Sequence, residues 1–222
     1  MGERVRDVVK VTGMVIKSTP VGEFDKRLVI LSRERGKITA FARGAKRPSS
    51  ILMAASRPFS FGQFSLFEGR DAYNLQSAEI TNYFADLAFD MEGACYGSYF
   101  LELADYYARE NMDETLLLKL VYQSLRALLK DAIPNQLVQR IFELKAMVIN
   151  GEYTEHPPRR VGDSANYAWE FVIASSMESL YTFTLTDEVL KEFASCVEVN
   201  KTKFIDRTFH SLEILKTLIN PG

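Results

Sequence analysis

Histidine and cysteine are scarce in this 222-residue chain, two of each, and tryptophan occurs once. His156, His210, Cys95 and Cys196 stand far apart, with no Cys-x-x-Cys and no His-x-x-x-His pair. A structural zinc site needs four soft ligands presented by tight turns, so local sequence offers none, and no metal is expected. A disulfide framework is excluded on the same count. Cys95 and Cys196 fall inside apolar helical patterns and read as buried thiols of a reducing compartment. No apolar run approaches the roughly 20 residues of a bilayer span, and no cationic then apolar leader opens the chain, so a soluble cytoplasmic protein is expected, with no membrane partner. Low-complexity tracts and internal repeats are missing. So are a Gly-x-x-x-x-Gly-Lys-Ser/Thr phosphate loop, a Gly-x-Ser-x-Gly elbow and a Cys-His catalytic signature. The expectation is a non-enzyme without cofactors.

Net charge is also small, formally −2, but it is unevenly spread. Up to Ile80 the chain carries 14 Lys and Arg against 8 Asp and Glu; beyond it the balance is 13 against 21. Such asymmetry suits a module that meets a polyanion joined to one that meets something else.

Periodicity places the same boundary. Val8–Ser18 is β-branched, with Val9, Val11 and Val15 on one face and Gly13 marking a bulge. Residues 27–32 and 37–42 flank Arg33-Glu34-Arg35-Gly36 as a hairpin whose Gly36 supplies positive φ. Residues 59–68 and 72–80 complete five strands, with a short helix near Ser50–Ala55 between the third and fourth. This is the pattern of a five-stranded OB barrel; an SH3-like barrel accounts for the strands but not for the helix. From about Tyr83 the period becomes 3.6. Helices are expected over Phe89–Glu110, after an Asn111…Glu114 capping box, from Pro134 to an Asn150-Gly151 C-cap, over Trp169–Ser179, after Thr186 as N-cap, and in a last segment ending at Asn220-Pro221-Gly222. Pro157-Pro158, Arg159-Arg160 and Gly162 mark an irregular excursion at about 151–168. The expected fold is α+β in two domains, an OB barrel over 1–80 and an all-α domain over 81–222.

The chemistry lies in the barrel's cations. Ala42-Arg43-Gly44-Ala45-Lys46-Arg47-Pro48-Ser49-Ser50 gathers three cations, a glycine and two hydroxyls at a strand exit, a composition suited to phosphate oxygens. With Lys26, Arg27, Arg33, Arg35, Lys37 and Arg57 the set reaches nine, against Glu23, Asp25 and Glu34. The plain alternative is a solvated basic surface. Phe41, Phe59, Phe61 and Phe64 are candidates to stack on bases, though a small barrel must fill its interior. Glu23 and Asp25 outline an acid pair of the kind a metal-dependent nuclease uses, but two-metal sites gather more carboxylates, and pairing with Lys26 and Arg27 or fixing the loop is the simpler role. Three readings follow: a DNA-binding protein, an interaction adaptor with weak DNA affinity, and a nuclease.

The ordered blocks Gly22-Glu23-Phe24-Asp25-Lys26, Leu31 to Lys37, Ala42 to Ser50, Pro58-Phe59, Ala78-Glu79-Ile80 and Phe142-Glu143-Leu144-Lys145 with Asn150-Gly151 resemble the RecO family of bacterial DNA repair proteins. The resemblance implies a non-enzymatic mediator of recombinational repair, cytoplasmic and nucleoid-associated. Such a protein binds and anneals single- and double-stranded DNA and, with RecR, helps load RecA onto DNA covered by single-strand DNA-binding protein. Lys26, Arg33, Arg35, Lys37, Arg43, Lys46 and Arg47 match the family's basic motif. Many relatives carry a four-cysteine zinc module after the segment matching Asn150–Tyr153, which this chain lacks. The acidic, hydrophobic tail of single-strand DNA-binding protein would suit an apolar groove rimmed by cations, for which Arg126, Lys130, Arg140 and Lys145 are available.

Overall fold

The computed structural model describes residues 8–219. Five strands, β1 (Val8–Val21), β2 (Asp25–Ser32), β3 (Gly36–Ala42), β4 (Phe61–Glu68) and β5 (Tyr73–Asn82), close into a barrel of order β1-β2-β3-β5-β4. All pairings are antiparallel except β3 with β5. This is the OB topology. Alternation sets which residues fill it. Val11 and Val15, Leu28 and Ile30, Ile38, Ala40 and Ala42, and Phe64 and Leu66 point inward, and the short helix α1 (Leu52–Ala55) adds Leu52. Helices follow a 3₁₀ turn at Ala85–Phe89: α2 (Met91–Tyr107), α3 (Thr115–Leu128), α4 (Asn135–Ile149), α5 (Asp163–Ala174), α6 (Asp187–Phe204) and α7 (His210–Ile219).

The chain separates into two compact units, one of residues up to Phe84 with Ala104–Leu118, the other of Ala85–Leu103 with the residues from Lys119 onward. In the first unit, the segment after α2 is joined to the β2–β3 turn. Lys37 N–H donates to the Arg109 carbonyl at 2.9 Å, and Asn111 N–H to the Arg35 carbonyl at 3.1 Å. Gly36, at φ +62°, makes this approach possible, since a Cβ there would lie 2.3 Å from the Arg109 oxygen and 2.7 Å from that of Met112. Both the left-handed conformation and the clash act against a side chain. Gly36→Ala is expected to destabilise the protein by about 2–3 kcal/mol, lowering Tm by roughly 4–12 °C in calorimetry.

Several local expectations shift. The irregularity in β1 falls between Val15 and Lys17, whereas Gly13 allows close backbone approach, a Cβ there standing 2.5 Å from the Leu31 oxygen. The Asn111 capping box does not form. Asn111 takes φ 58°, Asp113 Oδ1 accepts from Thr115 N–H at 2.9 Å, and Glu114 Oε1 turns back to Arg109 N–H at 2.8 Å. Pro134 precedes α4 as its N-cap instead of opening it, while Asn150-Gly151 ends it with Gly151 at φ +74°. The irregular excursion is shorter than its composition indicates, because α5 begins at Asp163. Thr186 sits at the N-cap of α6, with Asp187 and Glu188 in the first turn, where negative charge complements the dipole. The terminal Asn220-Pro221-Gly222 lies outside the described residues.

Helix α4 is the centre of the second unit, buried on nearly every side from Leu137 to Met147. Arg140 and Lys145, expected as groove-rim cations, are engaged inside it. Lys145 Nζ donates to the carbonyls of Val172, Ile173 and Ser175 at 3.1, 2.8 and 2.7 Å, closing the C-terminal end of α5. Burial holds its pKa below the usual lysine value. Arg126 and Lys130 remain exposed.

Candidate nucleic-acid interface

The hairpin β2–β3 divides the nine cations between its two ends. Lys26 pairs with Ala42 and Arg27 with Phe41, so the entry of β2 lies beside the exit of β3 and the Arg43–Ser50 loop. Two backbone links fix that loop on the β1–β2 connection: Gly44 N–H donates to Asp25 Oδ1 at 2.7 Å, and Lys46 N–H to the Phe24 carbonyl at 2.8 Å. Asp25 thus serves as the loop's anchor. Lys26 Nζ donates to Ser56 Oγ at 3.1 Å, tying in the turn that carries Arg57. Burial first, then the charges of Arg57 and Lys46, lower the Lys26 pKa. Three cations from three separate segments therefore feel one another, and a polyanion would relieve their repulsion. Arg27, Arg43, Lys46, Arg47 and Arg57 are exposed.

Arg33, Arg35 and Lys37 stand at the opposite end, roughly 20 Å away at about 3.3 Å per strand residue. Each is engaged within the protein. Arg33 pairs with Glu34 Oε1 at 2.9 Å, and Glu34 Oε2 in turn accepts from Thr12 N–H at 2.8 Å. Arg35 donates to the Tyr73 hydroxyl at 3.0 Å. Lys37 Nζ meets the Asp105 carbonyl and Oδ1 at 2.8 and 3.2 Å. The structure brings together Lys26, Arg27, Arg43, Lys46, Arg47 and Arg57 and sets these three apart.

Of the four candidate aromatics, Phe64 is fully buried in the barrel. Phe41 lies half-buried on the outer face, its backbone paired with Arg27. Phe59 and Phe61 are also half-buried, and Phe59 is held at φ 70°. An aromatic outside that set, Phe24, is 39% exposed at the basic end. Its signal in the sequence was its place between Glu23 and Asp25 in the first block.

In the second unit, the segment after Asn150-Gly151 is fastened by hydrogen bonds. Trp169 Nε1 donates to the Thr154 carbonyl at 3.0 Å and Asn200 Nδ2 to that of Glu152 at 2.9 Å. Arg159 reaches Ser195 Oγ at 3.1 Å, and Gly162 N–H reaches Glu192 at 3.1 Å. Its one soft donor, His156, faces Glu170, so the residues do not fit zinc. No group of three or more His, Cys, Asp or Glu among the described residues is placed to hold a metal. A groove of about 630 Å³ beside α5 is lined by Tyr167, Phe171 and Phe183, with Asp163 and no cation. No helix among the described residues is long and apolar enough to cross a membrane.

Two family models match in chain order, the N-terminal part of recombination protein O over residues 6–84 and its C-terminal part over 88–155. The DNA repair protein RecO of Alkaliphilus metalliredigens is 33% identical over 74% of this chain and 67% of its own. Those of Acetivibrio thermocellus and Clostridium perfringens are 27% and 29% identical, covering 95% and 92% of this chain and 97% and 96% of theirs. A barrel and a helical unit with these two matches place the chain in the RecO family of DNA repair and recombination proteins.

Proposed function

We propose that this protein mediates recombinational repair by binding single- and double-stranded DNA through the basic end of its barrel and annealing complementary strands. The observation that carries the reading is the convergence of Lys26, Lys46 and Arg57 from three segments, tied together by the Lys26–Ser56 and Lys46–Phe24 hydrogen bonds, where burial and then the charges of Arg57 and Lys46 lower the Lys26 pKa. Phosphate contacts of this kind position a strand without reading its sequence. Neutralising phosphates also lowers the repulsion between two strands that must meet, which is the physical basis of annealing. Residues 1–80 form the DNA-binding domain in this reading, and 81–222 the domain that meets proteins. With RecR it helps RecA onto DNA covered by single-strand DNA-binding protein, in the cytoplasm at the nucleoid. Arg126 and Lys130 on the exposed side of α3 and beyond are available to that protein's acidic tail. Arg33, Arg35 and Lys37 contribute long-range potential and hold the first unit together.

The test is titration of the full chain with labelled single-stranded DNA at several salt concentrations. Six contacts predict a slope of log K against log salt near −4, at about 0.7 per phosphate. Absence of binding at low salt rejects the reading in favour of an adaptor, and strand cleavage with added Mg²⁺ would favour a nuclease.

A further inference from the structure

We infer that Phe24, backed by Arg47, is a stacking step for one unpaired nucleobase, which gives the basic end of the barrel a preference for single strands. This rests on the DNA-binding reading and adds to it a residue that touches bases. The Arg47 guanidinium lies 4.8 Å from the Phe24 ring centroid, covering one side of the ring, and the residue as a whole is still 39% exposed. Among the described residues no side-chain hydrogen bond engages that guanidinium, and Arg47 is exposed, so its N–H groups are available to a phosphate.

The backbone that carries the ring is also held in place before any ligand arrives. The Phe24 carbonyl accepts the Lys46 N–H at 2.8 Å, the neighbouring Asp25 carboxylate accepts the Gly44 N–H at 2.7 Å, and Lys46 Nζ lies 3.4 Å from the Gly22 carbonyl. Among the described residues the ring's one aromatic or cation contact is with Arg47, and Lys26, Lys46 and Arg57 lie on the segments joined around it. A nucleobase on a phosphate chain offers it both a flat π-face and the opposite charge. Duplex DNA offers only the charge, because its bases already stack on one another. The ring therefore separates the two forms where the cations alone do not.

The experiment compares wild type, Phe24→Leu and Phe24→Trp in the full chain. Ligands are an oligothymidylate, an abasic strand of equal length and a duplex. Phe24→Leu keeps apolar volume and removes the flat face. It is expected to weaken oligothymidylate binding about tenfold, within the range for one base on an aromatic ring, with salt slope and duplex affinity unchanged. The abasic strand should bind wild type and Phe24→Leu alike. In Phe24→Trp, oligothymidylate should quench the new emission and the abasic strand should not; the native Trp169 is fully buried and supplies a constant background. Oligothymidylate affinity within twofold of wild type in Phe24→Leu, or equal losses on strand and duplex, overturns the inference while leaving the basic-end reading intact. Absence of salt-dependent binding by wild type to any of the three overturns both.

Discussion

Glu143→Ala is expected to destabilise the helical unit by about 3–5 kcal/mol, because it strands buried charge. The carboxylate is fully buried and accepts from four groups: Tyr99 OH at 2.6 Å, Gln139 Nε2 at 3.1 Å, Arg140 Nη1 at 2.8 Å and Lys201 Nζ at 3.0 Å. It thereby joins α2, α4 and α6. Glu198, which also pairs with Arg140 at 2.6 Å and Lys201 at 2.9 Å, is half-exposed and cannot neutralise both cations alone. Among the described residues Arg140 Nε already lacks a partner, so they offer the site no spare acceptor. Tyr99→Phe removes one of four donors to the carboxylate and leaves its charge paired, so it should cost less, about 1.5–3 kcal/mol. Thermal or urea unfolding of the two variants checks the ratio; equal small losses would show that water enters and replaces the carboxylate.

The same site fixes the pH response. Burial alone would push the Glu143 carboxyl up, but Arg140, Lys201 and the Tyr99 hydroxyl overcome this and hold it below the ordinary glutamate value. Its contribution is complete above the unfolded-state pKa and disappears as pH falls through the depressed folded value. Tyr99 behaves in the opposite sense. Burial first, and then the Glu143 charge, raise its pKa well above that of a free phenol, so the stability it lends is full below about pH 10 and is lost as pH rises further. Unfolding free energy should decline on both sides. Glu143→Gln should flatten the acid limb.

How much of this was legible in the sequence depends on the element. The barrel was readable because period 2 is strict where one face is enclosed: Val11 and Val15, then Ile38, Ala40 and Ala42, alternate with outward residues and fill a single core. Gly36 was readable because a tight hairpin leaves few residues able to take positive φ. Asn111 misled because asparagine favours both an N-cap and the left-handed region, and only the tertiary link of Arg35 to Asn111 selects between them. In α4 the sequence marks a helix, but Arg140 and Lys145 read as rim cations because one segment of sequence does not reveal their partners on α5 and α6. The nine cations are neighbours along the chain but not all of them in space. Strand β2 then carries Arg33 away from Lys26, whereas the return of β3 brings Arg43 back to it.

That geometry makes the triple charge reversal Arg43→Glu, Lys46→Glu and Arg47→Glu the sharpest test of the basic end, with an expected loss of DNA affinity of about 10²- to 10³-fold at ~50 mM salt. All three side chains are exposed, and the loop's principal anchors are the backbone N–H groups of Gly44 and Lys46, which the substitutions keep. Thermal unfolding should accordingly change little. Loss of three phosphate contacts should reduce the salt slope by about 2 for a single strand and nearly 3 for a duplex, at about 0.7 and 0.9 per contact. The loss should be alike for different sequences, because phosphates carry no base identity. Reversal of Arg33, Arg35 and Lys37 is the informative contrast. Those residues hold Glu34, Tyr73 and Asp105, so the same change in net charge should lower Tm while reducing affinity far less. Equal affinity losses from the two triple variants would mean that DNA responds to the total charge of the barrel and not to its basic end.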